Sequence, residues 1–447
     1  MFAFIVSTLS SAQATARRRQ PIGTFGHRPI PACRYLSAVL LIGSALLIQA
    51  KPSLSDEGQF PEFTWHGLLD LRYQHSDAAP GQLEQGLGKL REGGARDRWQ
   101  INEAASTLQV RLDWDWMATA TLKYADLQSA PVDLTEAFLA YRPVGSAGWR
   151  LAGRLGLFFP PISLENVGTA WSSPYTLSSS TINAWVGEEL RAFGGELRLD
   201  YQTEAGDRVG LFGAALANND TAGLMLAWRG WTLHDFESTL NGRLRLPEGI
   251  GIPTLFPEQA NASQTFVEVD RRPGFYAGIA AERPQRYTLR AMYYDNNADP
   301  SGLSAGQYSW HTRFWSVGSK AELPWETTLI SQAMIGRTSM GDLNGDLRAV
   351  DVGFWSASWL ISRPLGEGRF SVRYERFGSD ERDYLPQDRN GEHGQAWTVN
   401  YNLTFAQRHQ LNFEFSSIYS VRPARLERGE SAYQEEMLWQ VGYRLFF

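Results

Sequence analysis

Met437-Leu-Trp-Gln-Val-Gly-Tyr-Arg-Leu-Phe-Phe447 is written with a period of two. One face carries Met437, Trp439, Val441, Tyr443, Leu445 and Phe447; the other carries Leu438, Gln440, Gly442, Arg444 and Phe446. A strand that is aromatic and apolar on one side, and mixed with polar and charged groups on the other, suits a wall between hydrocarbon and water.

The same pattern recurs upstream. Trp397, Val399, Tyr401, Leu403 and Phe405 alternate with Thr398, Asn400, Asn402 and Thr404. After four residues, Leu411, Phe413 and Phe415 alternate with Gln410, Asn412 and Glu414, as the second arm of a hairpin would. Further segments are Trp65–Tyr73, Thr107–Trp114, Trp116–Tyr124, Leu134–Tyr141, Trp149–Leu157, Glu189–Tyr201, Arg208–Ala215 and Gly223–Trp231. Then come Gly274–Glu282, Arg286–Tyr294, Trp310–Ala321, Trp325–Arg337, Ala349–Ile361 and Arg369–Phe377. Most have the roughly 9–11 residues a tilted strand needs to cross a bilayer. Short turns and long Gly/Asn/Asp/Ser/Pro-rich loops alternate along the chain, until the phase slips within Trp231–Pro273. A strand hidden at Ser238–Leu246 restores an even number, as single-chain bacterial barrels require. The reading is therefore an all-β antiparallel up-and-down barrel of 18 strands, with 16 the alternative if two weak segments are loop.

Composition agrees. Gly 42, Trp 16, Tyr 17 and Phe 23 combine with a mean hydropathy of −0.32. A barrel needs interfacial aromatics outside and polar groups inside, so its mean hydropathy stays modest. The one long apolar run, Leu36–Ile48, follows Arg17, Arg18, Arg19, Arg28 and Arg34 with no acidic residue among them. That order reads as an export signal, with cleavage after Ala50 or Ser55. Residues 1–55 are thus assigned to the signal and a short N-terminal segment, and 56–447 to the barrel. The only cysteine, Cys33, precedes the apolar run, so the exported part has no thiol chemistry. Losing those five arginines takes Lys+Arg from 42 to 37 against 48 Asp+Glu, a net charge of −11, which argues against nucleic-acid binding.

No catalytic constellation is legible. The seven histidines show no metal-binding helical spacing, and there is no G-x-S-x-G, P-loop or dinucleotide fingerprint. Gly341-Asp-Leu-Asn-Gly-Asp346 places oxygen donors at alternate positions but lacks a later bidentate Glu, so it reads as a turn. No metal or cofactor is expected.

Register assigns the inward side chains. The bases are Arg72, Arg111, Lys123, Arg150, Arg154, Arg198, Arg286, Arg290, Lys320, Arg369, Arg373 and Arg444. The acids are Asp70, Glu136, Glu196, Asp200, Glu375 and Glu414. Such charges either select solutes by sign, favouring anions here, or pair across strands and stiffen the wall. One connection is long for a hairpin: Phe158–Trp185, with Glu165, Asn166, Trp171 and Tyr175.

The final strand, ending on Phe447, resembles the terminal strand of Gram-negative outer-membrane β-barrels, which the barrel-assembly machinery reads. Residues 60–447 as a whole resemble a porin. Within that class Gly156–Asn166 is similar to a stretch of the phosphate-selective O/P-type porins, although their lysine clusters and arginine ladder have no counterpart here. The resemblance implies passive diffusion of small hydrophilic solutes across the outer membrane, contact with lipid and lipopolysaccharide, a homotrimer, and no chemical step. It also implies that Phe158–Trp185 folds inward as the constriction, with Glu165 and Asn166 near its tip or base; a loop lying outward over the rim is the alternative. A non-conducting barrel serving as adhesin or scaffold is the competing function.

Overall fold

The computed structural model describes residues 60–447 apart from 92, 95, 125–129 and 144–147. The expected export signal and the boundary at residue 55 lie outside the described residues. Sixteen antiparallel strands close into one barrel. Numbering barrel strands only, they are β1 (Glu62–Ser76), β2 (Arg96–Arg111), β3 (Trp116–Tyr124), β4 (Val132–Tyr141), β5 (Gly148–Phe158), β6 (Ala192–Gln202), β7 (Arg208–Ala217) and β8 (Gly274–Arg283). They continue as β9 (Tyr287–Asp295), β10 (His311–Leu323), β11 (Thr327–Asn344), β12 (Leu347–Leu365), β13 (Gly368–Glu381), β14 (Glu392–Phe405), β15 (His409–Val421) and β16 (Tyr433–Phe446).

Closure runs through the two terminal strands, with Leu68 opposite Phe446 and Asp70 opposite Arg444. Phe447 completes the seam: its N–H donates to the Gly67 carbonyl at 3.1 Å, and Gly67 N–H donates to its carbonyl at 2.7 Å. A Cβ on Gly67 would stand 2.2 Å from the Phe447 ring, so glycine is needed for this close approach.

Alternation sets which face is wet. Trp99 is 79% exposed, Trp149 72% and Leu197 64%, an apolar outer surface that only hydrocarbon solvates well. Its aromatics pair across strands in two girdles. Tyr73–Trp99 and Tyr293–Trp315, each 5.0 Å apart, mark the end with long loops. Trp116–Tyr141 and Trp149–Tyr201, at 5.1 and 5.2 Å, mark the end with short turns.

The strand count corrects the expectation of 18. Gly223–Trp231 contains a short helix, α2 (Leu224–Trp228), buried on every side. Ser238–Leu246 contributes only Arg243–Arg245, paired with Ala262–Gln264 outside the barrel. The run Leu224-Met-Leu-Ala-Trp228 is apolar without alternation, and periodicity cannot separate a buried strand from a buried helix in so short a run. Both segments belong to one connection, residues 218–273, between β7 and β8.

Candidate functional site

Two inserted segments fill the lumen. Residues 159–191, between β5 and β6, reach Arg290 on β9 through the Pro161 carbonyl at 2.6 Å. The same segment reaches Arg72 on β1 through the Leu177 carbonyl at 3.4 Å. These strands stand on opposite sides of a closed ring, so one segment touches both only from within.

Its path is dictated by backbone groups that need partners in a place without bulk water. On β14, Asn402 donates to the Pro174 carbonyl at 3.1 Å and Asn400 to the Tyr175 carbonyl at 2.9 Å. The Glu414 carboxylate accepts Leu177 N–H at 2.5 Å and Ser178 N–H at 3.0 Å. Arg373 donates to the carbonyls of Ser178 and Ser179 at 2.8 and 3.0 Å. Glu375 accepts Thr181 N–H at 2.7 Å, where the helix α1 (Thr181–Glu189) begins behind its N-cap Ser180. Glu165 accepts Ser180 N–H at 2.6 Å and lies 3.5 Å from Arg373. Asn166 holds the Trp171 carbonyl at 2.9 Å, and Trp171 stacks on Phe159 at 4.3 Å. Tyr175 packs with Leu164, Ile330 and Leu360.

The second segment, 218–273, brings charge to the other wall. Asp235 sits 2.6 Å from Arg72 and 3.5 Å from Arg91, and accepts Asn102 Nδ2 at 2.8 Å. Burial alone would raise its carboxyl. The charges of Arg72, Arg91, Lys123 and Arg444 outweigh that and hold it well below the usual range. Glu237 reaches Lys123 at 2.9 Å, and Glu103 on β2 reaches the same ammonium at 3.0 Å. Asp70 bridges Arg72 at 2.7 Å and Arg444 at 2.8 Å. Further out, Lys89 pairs with Glu392, which also accepts Trp231 N–H at 3.0 Å.

An apolar band covers the inner wall at the loop end. Phe212, Tyr276, Met292, Tyr294, Phe314, Met334, Phe354, Phe377, Ile418 and Leu438 pack around Trp185 and Trp231 in one buried cluster. Trp185 meets Trp231, Phe314 and Phe354 edge-on at 5.2–5.9 Å. The turn end differs. Pro174, Tyr175, Glu322, Glu367, Arg369, Asn402 and Gln410 line an open cavity of about 500 Å³. On another part of the wall, away from this cavity, the Arg154 and Arg198 side chains keep 17% and 23% exposure.

The sequence-assigned residues therefore divide. Arg72, Lys123, Arg373, Arg444, Glu375 and Glu414 are buried and bound to the inserted segments or to each other. Glu136 lies beside Arg154, Arg191 and the Phe159 backbone. Arg154 pairs with Glu196 at 2.9 Å, Arg198 with Asp200 at 2.8 Å and Lys320 with Glu322 at 3.3 Å. Arg150, Arg290 and Arg369 bond neutral oxygens, of Pro143, Pro161 and Ser362, with no ion pair among the described residues. Two assignments are corrected. Arg286 lies in the exposed turn after β8, because β9 starts only at Tyr287, and Arg111 ends β2 at the rim, where its half-exposed side chain pairs with Glu62 at 3.3 Å. The excess of inward bases also shrinks, since Asp235, Glu237 and Glu165 arrive from connections that register cannot place.

Strand reading missed Asp235, Glu237, Glu188, Arg229 and the aromatic band. A signal existed for the last: Tyr293-Tyr294, Phe314-Trp315, Phe354-Trp355 and Leu438-Trp439 are adjacent apolar pairs that break alternation, as walls covered on both faces do. The buried trio Thr232, His234 and Glu188 does not make a nucleophile. His234 Nδ1 accepts Phe236 N–H at 3.2 Å, so in the neutral ring Nε2 carries the proton and has no lone pair to take one from Thr232, 3.0 Å away.

No family model and no curated protein matches this sequence. Solved structures do. The outer membrane channel DcaP of Acinetobacter baumannii matches with a TM-score of 0.54 at 11% identity, over 86% of this chain and 97% of that one. The trimer form of OmpT, an outer membrane protein of Vibrio cholerae, matches with a TM-score of 0.50 at 8% identity, over 88% of this chain and 100% of that one. Likeness at such identity speaks for the fold. The chain has the fold of the Gram-negative outer-membrane porins, a closed barrel of 16 antiparallel strands with its apolar face outward.

Proposed function

We propose that this protein is an outer-membrane porin, a channel for passive diffusion of small hydrophilic solutes, narrowed from the loop side by residues 159–191 and 218–273. The observation that carries the reading is the charged, partly solvated lining of the turn-end half, around Arg154, Arg198 and the Arg369 cavity. A polar, partly exposed lining of this kind suits the passage of solutes. Arg150, Arg290 and Arg369, which form no ion pair among the described residues, are the charges that would favour anions, with Glu322 and Glu367 on the same cavity opposing them. Glu165, Asn166, Trp171 and Tyr175 belong to the constriction. The turn end faces the periplasm, because long loops of such barrels are extracellular. Phe447 is the contact for the assembly machinery, the outer belt meets lipid and lipopolysaccharide, and the assembly is a homotrimer.

The aromatic cluster around Trp185 favours a second reading, a barrel that does not conduct and acts as adhesin or scaffold. Purified protein in a planar bilayer separates the two. Small stepwise conductances with an anion-side reversal potential in a salt gradient are expected of the porin. A silent wild type that stays silent when residues 222–266 are replaced by a short Gly/Ser linker establishes the scaffold instead.

A further inference from the structure

The base of the 218–273 segment holds three carboxylates with no ion pair among the described residues, although Asp270 already accepts Arg272 N–H at 2.8 Å and Asp299 N–H. Asp220 follows β7 by a few residues, while Glu268 and Asp270 precede β8. One oxygen from each lies within 4.8 Å of the other two. Asp220 is fully buried. Its Oδ2 accepts Val269 N–H at 2.5 Å and Asp270 N–H at 3.2 Å, which fixes the carboxylate and leaves Oδ1 buried without a partner. Glu268 repeats the arrangement: Oε2 accepts Asn218 N–H at 2.9 Å and Oε1 is buried and unpartnered. The adjacent Arg272 points its guanidinium at Asp299 instead, 2.9 Å away.

A buried carboxylate oxygen with no donor is costly, and a second beside it more so. A cation removes both penalties at once. The donors are all carboxylate oxygens, with no sulfur or imidazole, which suits a hard divalent ion. Calcium binds oxygens at about 2.3–2.6 Å, so ligands on opposite sides of it stand roughly 5 Å apart, and it completes its shell with water.

We propose that Asp220, Glu268 and Asp270 form a calcium site that staples the two ends of this inserted segment. The sequence hides the site because its ligands come from opposite ends of a long connection. The ion joins the strands flanking the segment that carries Trp231 and Asp235, and so holds that segment in the lumen.

The test uses the full exported chain refolded in detergent without lipopolysaccharide, whose own phosphates bind calcium. Equilibrium dialysis with radioactive calcium is expected to find one ion per chain. Asp220→Asn combined with Glu268→Gln is expected to lower the affinity at least tenfold, while Asp342→Asn, in an exposed hairpin, leaves it unchanged. Heat-sensitive gel mobility shows that each variant has folded. A wild type that binds no calcium, or a double variant that binds as the wild type does, overturns the site. Trypsin cleavage at the exposed Arg243 and Arg245 is expected to quicken several-fold with chelator and to slow again on adding calcium. Equal cleavage in both states overturns the staple.

Discussion

The two halves of this lumen are built from opposite materials. At the loop end the inner wall presents Phe314, Phe354, Phe377 and Ile418 to the tryptophans of the inserted segments, in a closely packed apolar cluster. Toward the turn end the wall presents Arg150, Arg198, Arg290 and Arg369, all partly exposed, with Arg369 on an open cavity. Charges obey different rules in the two places. Arg373, wholly buried, is surrounded by Glu375, Glu165 and four carbonyl or hydroxyl oxygens of the inserted segment. Arg369, on the same strand and facing the cavity, bonds Ser362 and forms no ion pair among the described residues. Two turns of the pleat separate a residue that holds the structure from one free to meet a solute. In a barrel, therefore, an inward arginine has no functional meaning until the contents of the lumen are known.

That contrast can be broken from the loop end. Replacing residues 222–266 by a short linker removes Trp228, Trp231 and Asp235 together, and single-channel conductance is expected to rise several-fold. An unchanged conductance would mean that this segment does not close the outer half. Arg373→Met comes next. It leaves Glu165 and Glu375 buried without their cation, a loss of about 3–5 kcal/mol. Thermal unfolding of the refolded protein and new protease cuts within 159–191 measure it. Arg369→Met is the companion, expected to cost less than about 1 kcal/mol because water takes over; equal losses at the two positions would erase the distinction between the halves.

Trp185→Ala probes packing rather than charge. Removing an indole from the buried cluster costs about 3–5 kcal/mol, less where the site collapses around the gap. Calorimetry should find it destabilising, with the exposed Trp325→Ala unchanged as control. The smallest effect sharpens the other half. Arg290→Gln with Arg369→Gln should move the reversal potential toward cation selectivity by a modest amount. A shift further toward anions would remove these arginines as the source of preference.

Much of the architecture was legible before any coordinates. Alternation over Trp397–Phe405 and Met437–Phe447 placed these strands and their outward faces, because a two-residue period is a local property of extended backbone. The two segments that swelled the count, Gly223–Trp231 and Ser238–Leu246, lie in a connection, where apolar residues answer to tertiary packing and no period is imposed. The partners of Arg72 show the same limit. Asp70 is two residues away and visible, whereas Asp235 is brought by a loop.

The chain's own residues determined that it is an outward-apolar barrel, since lipid on one side and strand geometry on the other leave a local trace at every second position. Tertiary structure alone decided the rest: that there are sixteen strands, that apolar side chains pack into the outer half of the lumen, and which inward charges are neutralised. Those outcomes depend on connections folding back to touch strands far away in sequence, and contacts of that kind leave no period to read.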